Sequence, residues 1–141
     1  MKYTGPVVLL IALSGCASSP LVAFRGPRTI SLEGKSISED KAGKFTSWVC
    51  SDYSSGGKTL VEVGTFSAQD LNGTGFVIYD GGNSGEATIF QRKGINLRWD
   101  WGPKGHFAFV LKPDGTGLFY DFSNANGEEV KANEVFKCKQ R

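Results

Sequence analysis

Leu97-Arg98-Trp99-Asp100-Trp101, the turn Gly102-Pro103-Lys104-Gly105, Phe107-Ala108-Phe109-Val110-Leu111, the turn Pro113-Asp114-Gly115, and Leu118-Phe119-Tyr120-Asp121-Phe122 form one continuous stretch. Its runs alternate with a period of two and are rich in aromatic and β-branched residues, which is the pattern of strands. Side chains of a strand point alternately to opposite faces. Leu97, Trp99 and Trp101 therefore share one face, and Arg98 and Asp100 the other. On the next run Phe107, Phe109 and Leu111 oppose Ala108 and Val110. On the third, Leu118, Tyr120 and Phe122 oppose Phe119 and Asp121. Short strands joined by short Gly turns read as an antiparallel meander.

The same punctuation runs outward in both directions. Phe45–Ser51, Thr59–Phe66, Phe76–Tyr79 and Ala87–Gln91 read as strands before this stretch, and about Val130–Lys139 as one after it. Asn72-Gly73 is a strong hairpin signal between two of them. The count is eight strands after Phe45, and no long helical period interrupts them. The expected fold is all-β, a small antiparallel meander that closes into a barrel, with a flattened sandwich as the alternative. The chain has 141 residues, enough for one domain, and 19 of them are Gly, as many tight turns require. A net charge of +2 gives no basic footprint for nucleic acid.

Residues 1–44 read differently. Lys2 precedes the apolar run Val7–Leu13, far shorter than the ~20 residues that cross a bilayer. Leu13-Ser14-Gly15-Cys16 closes the run. Here the chain resembles bacterial lipoprotein precursors, whose lipobox has this form. The resemblance implies a signal peptide over 1–15, cleavage before Cys16, and acylation (palmitate among the chains) at Cys16. Ala17 rather than Asp follows, which by the same resemblance places the protein at the outer membrane, lipid-anchored and facing the periplasm. Such a multi-chain anchor holds firmly. Residues 16–44 are then a lipidated tether and polar lead-in, in which Thr29–Leu32 could form a short strand and Ser38–Lys41 a helical turn. Residues 45–141 are the β-barrel domain.

With Cys16 lipidated, Cys50 and Cys138 are the two thiols left, and export places them in an oxidising compartment. One disulfide between them is the simplest expectation. It ties the first strand of the barrel to the last and favours closure. The loop-entropy model gives about 4–5 kcal/mol for so long a loop.

Chemistry is sparse. His106 is the single histidine, there is no Gly-x-Ser-x-Gly elbow, and no His/Cys cluster has zinc spacing. No catalytic residue, metal or cofactor is expected. Two sets of residues are candidates for binding. Trp99, Trp101, Phe109 and Tyr120 either fill the core or line a barrel mouth. Trp101, nearest the turn, is expected to be the more exposed of the two Trp residues. Arg98, Asp100, His106 and Asp121 are the polar set; Arg98, Asp100 and Asp121, read onto comparable faces, either pair across strands on the solvent side or form a polar site for an acidic or carbohydrate ligand. Asp100 and Asp121 could also serve as a hydrolytic carboxylate pair.

In outline the chain is similar to the membrane-bound inhibitors of c-type lysozyme: lipobox, tether, Gly-punctuated strands, one early and one terminal Cys. That resemblance implies an eight-stranded antiparallel barrel over roughly 45–139. Ser84-Gly85-Glu86-Ala87-Thr88 is the nearest match to the inhibitory Ser-Gly-x-x-Tyr loop, with Thr88 in the Tyr position. Three functions are therefore expected, in order: a non-enzymatic lipoprotein binding a ligand or envelope protein, a periplasmic lysozyme inhibitor, and a small hydrolase using Asp100 and Asp121.

Overall fold

The computed structural model describes residues 27–52, 57–123 and 131–141. The expected signal segment and the expected lipidation site at Cys16 lie outside them. Ten strands and one short α-helix run in the order β1 (Thr29–Leu32), β2 (Lys35–Ser38), α1 (Glu39–Ala42), β3 (Phe45–Ser51), β4 (Val61–Phe66), β5 (Thr74–Tyr79), β6 (Ser84–Lys93), β7 (Asn96–Trp101), β8 (Phe107–Leu111), β9 (Thr116–Asp121) and β10 (Glu134–Gln140). Strands β3 to β10 pair antiparallel with their sequence neighbours, and β10 pairs back onto β3, so the eight close into a barrel. Closure removes the exposed edges that a meander of this length otherwise carries. Cys50 and Cys138 face each other directly in the β3–β10 register and are bonded, with their Cα atoms 4.0 Å apart.

The ladder fixes which residues point inward. Trp99 pairs with Phe109 and Phe109 with Phe119, while Trp101 pairs with Phe107. Trp48, Cys50, Val61, Val63, Val77, Leu111 and Phe136 complete this face, which is the packed interior. Trp99 and Phe109 are fully buried and Trp101 is 4% exposed. Both indole N–H groups are satisfied inside: Trp99 donates to the Gly64 carbonyl at 2.9 Å and Trp101 to the Tyr79 hydroxyl at 3.1 Å. Glycines make room for this packing. A Cβ on Gly75 would sit 2.7 Å from the Trp99 ring, and one on Gly117 would sit 2.7 Å from the Cys138 sulfur.

Residues 28–44, expected to be polar lead-in, are part of the fold. Glu33-Gly34, with φ of 52° and 84°, makes the tight turn of a β1–β2 hairpin. β1 then runs parallel to the start of β6. The hairpin and α1 cover the outside of β3, β4 and β5. Ile30, Leu32 and Ala42 pack there on Phe45, Phe66, Phe76 and Ile78 as a second core. Three of its phenylalanines form a triangle with centroids 5.2–5.8 Å apart. This explains why β4 and β5 are apolar on both faces rather than alternating.

One charge sits in that double-faced wall. Glu62 on β4 is 1% exposed. Arg28 reaches it with two hydrogen bonds of 2.7 and 2.8 Å, Ser47 donates at 2.6 Å, and Arg141 donates at 3.0 Å. Burial pushes the Glu62 carboxyl up, but the Arg28 and Ser47 hydrogen bonds and the two guanidinium charges outweigh it. The group is held below the ordinary glutamate value. Bidentate charge-assisted bonds of this kind are the strong ones.

Candidate functional site

The residues singled out from the sequence divide into three places. Trp99 and Trp101 are both interior core, 0% and 4% exposed, so the expected difference in their exposure is small, although Trp101 alone borders a surface groove. Arg98, Asp100 and Tyr120 do come together, on the outer face of the barrel: Asp100, Ala108 and Tyr120 form one row across β7, β8 and β9. Arg98 donates to both Asp100 carboxylate oxygens at 2.9–3.1 Å and lies 5.9 Å from the Phe122 ring centroid. Tyr120 stacks on Phe122 at 5.6 Å. Together these groups shield Ala108, which is fully buried despite facing outward.

Asp121 does not join them. It pairs with Phe107, which pairs with Trp101, so it lies on the inner side of the wall. Its carboxylate accepts from the Ser123 hydroxyl at 2.7 Å and the Ser123 amide at 3.0 Å, which hold it below the usual aspartate range. Asp100 and Asp121 thus face opposite sides of the sheet. They cannot flank one substrate bond, and the hydrolase built on that pair is withdrawn. Tyr120 is likewise on the outer face, not beside Trp99 and Phe109. The cause is register: Lys112 and Thr116 pair across the three-residue turn Pro113–Gly115, which places Phe109 opposite Phe119.

Because the interior is filled, the open concave surfaces lie at its ends and flank. The mouth into which the β6–β7 and β8–β9 turns point is a cleft of about 410 Å³. Its floor is Trp48, Leu97 and Leu111; its rim carries Arg92, Ile95, Lys112, Asp114 and Lys139. Ile95, at the hairpin tip, is 81% exposed. The second is a groove of about 610 Å³ along β6, between the β1–β2 turn and the β7–β8 turn. β6 is paired with β1 at Ser84 and Gly85 and with β7 from Ile89 onward. The side of β6 between those pairings carries no strand; there the Ala87 amide donates to the Glu33 carboxylate at 3.1 Å. Glu33, Glu86 and Asp100 line this groove, with Thr88, Trp101 and an exposed Ile89. The Thr88 hydroxyl is buried there without a hydrogen-bond partner.

Sequence reading missed the mouth, although Ile95 is an apolar residue set in a turn, where nothing in a meander needs it. It named Asp100, Trp101 and the run Ser84–Thr88 but did not join them into the groove. Nothing in the sequence does so, because Glu33 and Glu86 meet only through the β1–β6 pairing. Among the described residues no group of three or more His, Cys, Asp or Glu is placed to hold a metal ion. Comparison with protein-family models, curated proteins and solved structures finds no match to this chain.

Proposed function

We propose that this chain is a lipid-anchored envelope protein whose barrel works by binding a ligand or protein partner and performs no chemistry of its own. The anchor rests on Leu13-Ser14-Gly15-Cys16 after a short apolar run, and the outer membrane, periplasmic side, is what the resemblance to lipoprotein precursors implies from Ala17. The observation that carries the binding reading is the contrast between a filled barrel interior and two open, oppositely charged concavities outside it. Ligand sites are concave and hold a few converging polar groups. Intact mass of membrane-extracted protein should find acyl chains on Cys16, and Cys16→Ala should release the domain or block processing. An unmodified N-terminus at another residue overturns the anchor. For the binding, photo-crosslinking residues at Ile89 and Ile95 should trap a discrete adduct at one of them, while the same probe at the exposed Lys35 on β2 traps none. Absence of an adduct at both overturns the reading.

A second reading, lysozyme inhibition, is favoured by one observation. Ser84-Gly85-Glu86-Ala87-Thr88 lies at the start of β6, and Glu86 to Thr88 line the acidic groove. A carboxylate-lined groove suits a basic protein surface. Inhibition of c-type lysozyme that Glu86→Lys weakens supports it; no inhibition at micromolar protein removes it and leaves the first reading standing.

A further inference from the structure

The cationic mouth has features the acidic groove lacks. Arg92, Lys112 and Lys139 are exposed around it, and no acidic group lies within ion-pair distance of any of them among the described residues. The one carboxylate on the rim, Asp114, accepts the Thr116 amide at 2.9 Å and also feels the charge of Lys112. The rim therefore carries three cations against one anion, an excess of two positive charges in one depression on a chain whose net charge is only +2. Cations gathered in a depression with apolar walls focus potential into it.

The floor is apolar. Leu111 is 5% exposed, and Trp48 and Leu97 are half-buried, with the Trp48 ring 5.9 Å from that of Trp99. Ile95 adds an exposed apolar wall. Two glycine turns shape the walls. Gly94, with φ of 64°, closes the tight β6–β7 turn, and Gly115, with φ of 92°, closes the β8–β9 turn beside the Cys138 carbonyl. The surface is an open depression rather than a plane, which suits a small molecule better than a membrane.

From these observations we infer that the barrel mouth binds a small organic anion whose charge, a carboxylate, sulfonate or phosphate, is carried on a flat apolar body. The anion meets Arg92, Lys112 and Lys139, and the body lies over Trp48 between Leu97, Leu111 and Ile95. The volume of about 410 Å³ falls within the range of small-molecule sites. The inference deepens the binding reading but depends on neither the anchor nor the acidic groove.

The test uses the full chain in nanodiscs of neutral phosphatidylcholine, with empty nanodiscs subtracted. Calorimetric titration compares 2-naphthalenesulfonate with 2-naphthalenemethanol, which keeps the body without charge, and methanesulfonate, which keeps the charge without the body. Saturable 1:1 binding is expected for 2-naphthalenesulfonate, with at least tenfold weaker binding for each of the others. Arg92→Glu combined with Lys112→Glu should weaken it at least tenfold, Lys139→Glu alone measurably, and Lys41→Glu on α1 not at all. All four positions are exposed, so the variants should fold, which near-ultraviolet circular dichroism checks. Equal binding of the neutral compound, equal binding of methanesulfonate, an affinity that the mouth variants leave unchanged, or no saturable binding each overturns the inference. Failure here with an adduct trapped at Ile89 leaves the binding reading intact and moves it to the groove.

Discussion

Arg28–Glu62 and Arg98–Asp100 are the same two functional groups on the same outer side of one barrel, yet they do different work. The first lies over β4 beneath the hairpin; Glu62 is 1% and Arg28 17% exposed at the side chain. The second lies over β7, half-buried and with no hairpin above it; Arg98 is 29% and Asp100 19% exposed. What differs is the cover. On the β3–β5 half the outer face is a second core, and the charge within it had to be answered from two directions, by Arg28 and Arg141. On the β7–β9 half the outer face meets solvent, and the pair sits over a single alanine. A buried ion pair is weak evidence of net stabilisation but is costly to break from one side; an exposed pair is worth little either way.

The largest expected effects lie in the interior that both halves share. Trp99→Ala and Trp101→Ala should each cost about 3–5 kcal/mol and agree within about 1 kcal/mol, since both rings are buried and both indoles hydrogen-bonded. Denaturant melts with the disulfide intact decide this; a Trp101 loss under half that of Trp99 would return the mouth-lining role to Trp101.

Next comes the covered pair. Glu62→Ala leaves Arg28 facing an apolar wall and should cost about 3–5 kcal/mol, whereas Asp100→Ala should cost under about 1 kcal/mol. Matched melts of the two variants test the comparison directly, and similar losses would erase it.

The covered pair should also carry the acid sensitivity. Glu62 is depressed below the ordinary value of 4.5, so its contribution is complete above that pH and is lost as pH falls through and below it. Glu39 adds to the same window: the Phe45 and Arg28 amides hold its carboxyl low. Wild-type melting temperature should begin to drop as pH falls below 4.5 and keep dropping as the pH falls further. Glu62→Gln should flatten that slope, and an unchanged slope would place the titration elsewhere.

The smallest effect belongs to the open pair. Arg98→Ala should change stability by less than about 1 kcal/mol at low salt and by less still at high salt. A larger loss would mean that covering Ala108 matters more than the charge.

The eight strands and the Cys50–Cys138 bond were legible because alternation and cysteine count are local quantities. The second core was not. Its clues were scattered: Ile30 and Leu32 two apart in a polar segment, and Glu62 alone in an otherwise apolar strand. A lone charge in such a strand demands a partner, but the sequence does not say that the partners are Arg28 and Arg141, 34 and 79 residues away. The misplacement of Tyr120 and Asp121 was avoidable. Pro113-Asp114-Gly115 reads as a three-residue turn with Gly in the left-handed position, which pairs 112 with 116 and 109 with 119. The mouth and groove are assembled by the shear of the barrel and by the β1–β6 contact, neither of which a strand pattern contains.

Glu62 binds an arginine from each end of the described chain. A pull on the N-terminal segment enters the fold at Arg28, whose side chain is clamped twice to Glu62 and whose backbone exchanges hydrogen bonds with Glu39. Tension is thus delivered to the middle of the wall, close to where Arg141 holds the other terminus, and not to the free edge of the hairpin. The domain should resist being peeled from its N-terminal side first. Severing the Arg28 contact should convert a shared mechanical load into sequential unzipping of β1 and β2.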